Sequence, residues 1–153
     1  MLALTILGNN SAIPAFGRNP TAQVLQLEDE FFLIDCGEGT QLRLAKYKIR
    51  RSKIQHIFIS HLHGDHYFGL IGLITSMSLL SRTQDLHIYA PAELEQIINL
   101  QLSVAATKLS YKLNFHALTS DKVIVDENKF TVSCFAVRHR IECWGFIFKQ
   151  KKK

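Results

Sequence analysis

Short apolar runs divided by polar turns alternate with longer segments of helical spacing. Residues 2–7, 22–27 and 31–34 are rich in branched and aromatic side chains and are bounded by Gly, Pro, Asn and Asp, which predicts an opening antiparallel sheet. Residues 38–47 carry Leu42, Leu44 and Ala45 at helical spacing, and residues 54–59 return to a buried strand. The apolar stretch 67–80 is too long for one core strand and reads as a buried helix. Residues 86–89 follow as a strand, and Pro91 suits the first turn of a helix carrying Leu94, Ile97, Ile98 and Leu102 inward. Strands dominate the remainder, at 113–118, 123–125, 130–137 and 144–148. The expected architecture is one α/β unit with sheet on one side and helices on the other.

Composition narrows the class without changing that picture. With 153 residues, 47% hydrophobic and 20% charged, the chain has the balance of a single globular domain, not of a disordered or fibrous one. The 67–80 stretch is shorter than the roughly 20 residues needed to span a bilayer, so no membrane partner is expected. No secretion signal opens the chain, and a cytoplasmic location is the expectation. Cys36, Cys134 and Cys143 match neither a disulfide framework nor a paired zinc site, and are expected to be reduced and mostly buried. The net charge of +5 owes much to Lys149, Lys151, Lys152 and Lys153 at the end. A second basic strip, Arg43, Lys46, Lys48, Arg50, Arg51 and Lys53, lies within eleven residues that hold no acid. Such a strip is either a solvated helix end and turn or a surface for a polyanion such as an RNA backbone.

Chemistry concentrates in His61-Leu62-His63-Gly64-Asp65-His66, directly after a buried strand and before a buried helix. His61 and His63 alternate, which places both rings on one side of an extended segment, and Gly64 lets the chain turn so that Asp65 and His66 address a neighbouring point. One segment could thereby serve two metal ions. Imidazole nitrogen and carboxylate oxygen suit zinc, manganese or iron, with an open position for an activated water. His56, His87 and His116 stand singly on predicted strands and are read as core or surface residues.

The H-x-H-x-D-H segment resembles the signature of the metallo-β-lactamase superfamily. Residues 7–14 (Leu-Gly-Asn-Asn-Ser-Ala-Ile-Pro), 18–22 (Arg-Asn-Pro-Thr-Ala), 35–41 (Asp-Cys-Gly-Glu-Gly-Thr-Gln) and 69–73 (Gly-Leu-Ile-Gly-Leu) resemble, in order, blocks of the ribonuclease Z family, tRNA 3′-processing endonucleases. Asn9-Asn10 stands where that family usually has Thr-Gly, and Ile71 where it usually has Pro. Residues 135–139, ending in His139, and Trp144-Gly145-Phe146 are similar to a later block, in which a histidine is a further zinc ligand.

The resemblance implies a metallo-β-lactamase-like αββα sandwich, of which residues 1–153 would be the N-terminal half, a mixed sheet with helices on one face and the C-terminal half absent. It implies a zinc-dependent phosphodiesterase that removes 3′ trailers from precursor tRNA. His61, His63 and His139 would hold one zinc, Asp65 and His66 the second, with Asp65 also accepting the proton of the attacking water. The family's bridging aspartate, its last histidine ligand and its tRNA-gripping arm follow the His139 block. This chain is therefore expected to be weakly active or inactive alone and to hold at most one zinc well, against two per subunit in a complete enzyme. A homodimer is implied as well. Apolar sheet faces at 31–34 and 130–137 would await the missing half. The alternatives are another superfamily hydrolase, of small esters or thioesters, and a non-catalytic metal-binding half-fold.

Overall fold

A computed structural model describes residues 2–151. Six strands form one mixed sheet in chain order: β1 (Leu2–Gly8), β2 (Ala22–Leu27), β3 (Glu30–Ile34), β4 (Ile54–Phe58), β5 (Leu86–Ala90) and β6 (Leu113–Ala117). The first three pair antiparallel, β2 and β3 through a two-residue turn and β1 and β2 through the longer 9–21 loop, and β3 to β6 run parallel. Parallel neighbours need long crossovers, and each one carries a helix: α1 (Thr40–Lys46), α2 (Leu70–Leu79) and α3 (Glu93–Val104). The helices lie on one face, where Leu44, Leu73, Ile74, Met77, Leu94 and Ile98 pack on Leu33, Ile57 and Ile88. In α2 the buried positions are Leu70, Leu73, Ile74 and Met77, a helical stripe at i, i+3, i+4 and i+7.

The last three strands do not extend this sheet. β7 (Lys122–Asp126), β8 (Phe130–Ala136) and β9 (Trp144–Gln150) form a separate antiparallel sheet on the face opposite the helices. The reason lies in alternation. Phe130, Val132 and Cys134 of β8, with Trp144 of β9, offer one apolar face that meets Phe32, Phe58, Tyr89 and Leu118. This corrects the expectation that the faces at 31–34 and 130–137 stay open. They cover each other, with Phe32 and Phe130 edge to face at 4.9 Å. The apolar surface left wet on this side is β1. Leu2 and Leu4 pair with the core residues Leu27 and Leu25, yet are 67% and 55% exposed.

Topology also sorts the chain by pole. The loops after β3 and β4 open at the carboxyl ends of parallel strands, where α/β folds place their sites. The basic strip falls in the return from α1 to β4 and so lies at the other pole. No helix among the described residues is long and apolar enough to cross a membrane. All three cysteines are free thiols, with Cys36 and Cys134 buried and Cys143 partly so.

His56 is buried between the sheets, its ring stacked on His87 at 5.3 Å and its Nδ1 without a hydrogen-bond partner. Burial first, and then the His87 and His116 rings, push it from 6.5 down to about 4. Between those values the unfolded chain binds more protons than the folded one. The stabilisation is therefore complete above the unfolded value and is lost as pH falls toward the folded value. Urea unfolding should show the wild type losing about 2 kcal/mol more than His56→Leu between pH 7 and pH 5. An unchanged pH dependence in the variant would exclude His56 as the titrating group.

Candidate metal centre

β3 and β4 end side by side, and their ends are locked by a carboxylate. The buried Asp35 accepts the Ser60 backbone N–H at 2.8 Å, the Ser60 hydroxyl at 3.0 Å and the His66 Nδ1–H at 2.7 Å. Asp35 sits at φ 57°, a left-handed conformation that Asp tolerates better than most residues, and this turns its side chain back across the strand end. The same loop is tied by its backbone, with Cys36 N–H bonded to the His66 carbonyl, Gly69 N–H to the Cys36 carbonyl and Gly37 N–H to the Thr21 carbonyl. A Cβ on Gly37 would strike the Asp65 carbonyl, and one on Gly69 the Gly37 carbonyl, so both close approaches require glycine. The sequence blocks at 18–22, 35–41, 61–66 and 69–73 thus meet at one corner.

From that corner His61, His63 and Asp65 project on the segment after β4. His139 arrives from the loop between β8 and β9, whose neck is closed by Val137 N–H to the Cys143 carbonyl. An isolated bridge between His61 and Cys143, and a bond from Trp144 N–H to the Ser60 carbonyl at 2.8 Å, stitch this loop to the first sheet. The result brings one ligand atom each from His61, His63 and His139 within 4.8 Å of one another. His61 Nε2 faces His63 Nδ1 at 3.1 Å, and the His66 ring lies 3.8 Å from that of His61. Asp65 is set beside this group, 3.7 Å from His66 Nε2. Because His66 gives its Nδ1–H to Asp35, its Nε2 keeps a lone pair.

The electrostatics favour neutral rings. Burial, then the neighbouring His66, push His61 down to about 4, and His63 is lowered by desolvation and by the Arg140 guanidinium. Neutral imidazoles crowded at this spacing offer nitrogen lone pairs, a donor set that fits a zinc ion. A cleft of about 440 Å³ lies alongside, walled by Ile13, Pro20, Glu38, His63, Asp65 and Arg140.

His56, His87 and His116 lie away from this cluster, in a row on the inter-sheet face. Three contributors escaped the sequence reading. Asp35 was hidden because Ser60 and His66, its partners, lie 25 and 31 positions away in the chain, and Ser60 because its role shows only once Asp35 is beside it. Arg140, which holds His63 Nε2 at 3.0 Å, is flagged in the sequence only by following His139.

A family model described as anti-Pycsar protein Apyc1 matches residues 2–152. A ribonuclease Z from Bacteroides thetaiotaomicron is 45% identical over 152 residues, covering 98% of this chain and 48% of that protein. The chain spans about half the length of the curated relatives it matches. Among solved structures, the short form of human tRNase Z superposes with a TM-score of 0.89 at 34% identity, covering 96% of this chain and 64% of the other. YhfI from Bacillus subtilis, a metallo-β-lactamase-fold protein, gives 0.73 at 24% identity, covering 95% and 56%, and so speaks for the fold alone. The chain belongs to the Apyc1 family and carries the metallo-β-lactamase fold, with ribonucleases Z among its curated relatives.

Proposed function

We propose that this chain is the N-terminal half of a zinc-dependent endoribonuclease that removes 3′ trailers from precursor tRNA. The observation that carries the reading is the convergence of His61, His63 and His139 beside Asp65 and His66 at one strand-end corner. The relatives named ribonuclease Z support the substrate class. In this reading His61, His63 and His139 hold one zinc. Asp65 and His66 contribute to a second, completed by residues outside residues 1–153. Zinc bound there would neutralise charge on the phosphoryl oxygens and acidify the attacking water.

The chain's own groups do the rest. Asp65 accepts the proton of the attacking water, at the mouth of the cleft it helps to wall. Asp35 holds the His66 ring in one tautomer. The exposed Phe68, Leu79 and Leu80 on and beside α2 support a homodimer through this helix, and the wet Leu2 and Leu4 support docking of the other half of the sandwich. A cytoplasmic site of action fits free thiols at all three cysteines.

The reading is tested by cleavage of a precursor tRNA bearing a 3′ trailer, with the protein in the form its cells make it. Asp65→Asn should lower kcat by 10² to 10⁴-fold, about the range of a lost general base. A protein that spares precursor tRNA and small phosphodiesters but hydrolyses thioesters would overturn it. The bare 153-residue chain should cut tRNA weakly or not at all, and robust cleavage by mass-verified chain would refute the half-site.

Zinc titration of the same chain should find at most one tight ion, lost in His61→Ala and His139→Ala. Arg140 opposes that ion twice. Its guanidinium charge repels a cation, and its N–H groups donate to His63 Nε2, which leaves the proton on the Nδ1 that faces His61. Calorimetry should show Arg140→Ala binding zinc several-fold more tightly, and weaker binding would contradict the competition.

A further inference from the structure

At the pole opposite the histidines, a cavity of about 510 Å³ opens between the carboxyl-terminal ends of α1 and α2. Its polar lining comes from two loops that are distant in sequence: Arg50, Arg51 and Ser52 from the α1–β4 return, and Ser81, Arg82 and Thr83 from the α2–β5 return. Ala45, Ile49, Met77 and Leu80 supply an apolar wall. No carboxylate lines it, and among the described residues none of the three arginines has a carboxylate oxygen within 4.0 Å. Asp85, the nearest acid in sequence, spends its carboxylate on the Asn114 amide.

Arg82 is the unusual member. It is only 7% exposed, yet no carboxylate oxygen is in ion-pair contact with it, Asp85 acting on it only at longer range. Its Nε and Nη2 donate to the Gln84 and Asp85 carbonyls and its guanidinium lies over the Tyr111 ring, which fixes its plane. Nη1 remains buried with no acceptor. A buried donor without a partner is destabilising, a cost removed if an anion in the cavity draws the fork toward it. Arg51 is held at the rim by a long contact to the Gln41 side chain, 3.4 Å, which an anion could displace. Cations at helix carboxyl ends also steady the helix dipoles, but that role needs neither a concave site nor a buried fork.

We propose that this cavity binds a phosphate monoester of nucleotide size, its dianion between Arg50, Arg51 and Arg82 and its body on the apolar wall. No carboxylate lines the cavity, guanidinium forks match phosphate oxygens two at a time, and the volume lies in the range of small-ligand sites. The site is independent of the metal centre and of the tRNA reading.

The test is calorimetric titration of the full 153-residue chain with 5′-AMP, inorganic phosphate and adenosine, in chloride buffer with and without EDTA. AMP should bind more tightly than inorganic phosphate, adenosine should not bind, and EDTA should change nothing. Arg50→Gln and Arg51→Gln, on partly or fully exposed residues, should each weaken AMP at least tenfold while circular dichroism and Tm stay near wild type. Arg82→Lys, which keeps the charge and loses the fork, should weaken it as well. Absence of AMP binding, binding unchanged in both glutamine variants, or binding abolished by EDTA would each overturn the proposal. So would a single-stranded RNA without terminal phosphate that binds more tightly than AMP, since the arginines would then be a backbone track.

Discussion

The site depends on one buried carboxylate. Asp35 takes three hydrogen bonds, from the Ser60 backbone, the Ser60 hydroxyl and His66, and so joins the ends of β3 and β4. Paired parallel strands set only where a segment leaves the sheet. What aims the histidine segment is the bonding beyond the last ladder pair, and there the charge-assisted bonds to Asp35 outweigh ordinary backbone bonds. The glycines at 37 and 69 let the neighbouring loops close in around it.

A second constraint acts between the sheets. His139 reaches His61 and His63 only because the start of β9 is bonded to Ser60 and Cys143 is bridged to His61. That seam is the edge of the inter-sheet core, where Trp144 is buried with Phe58 and Tyr89. Packing of aromatic side chains therefore sets the third histidine, and a core defect would reach the site without touching any of the three histidines. The same core holds His56 neutral, which links the stability of the sandwich to acid pH.

Charge is divided between the poles. The carboxyl-terminal ends of the parallel strands gather imidazoles and carboxylates, whereas the opposite end gathers arginines and lysines from the α1–β4 return and Arg82 from the α2–β5 return. Placing the basic strip there separates it from the histidine corner of the same chain, a separation invisible when both are read as neighbours within residues 43–66.

The sequence by itself determined the elements, the helical stripe of α2 and the histidine segment, because hydrophobic period and turn chemistry are local. His61, His63, Asp65 and His66 were legible for the same reason, lying within six residues. His139 was legible only through family resemblance, since nothing local marks it. The tertiary structure alone decided that the last three strands form a second sheet, that 31–34 and 130–137 bury each other, and that Asp35 holds His66. Those outcomes rest on contacts between residues tens of positions apart, and a pattern read along the chain carries period and polarity but not which faces will meet.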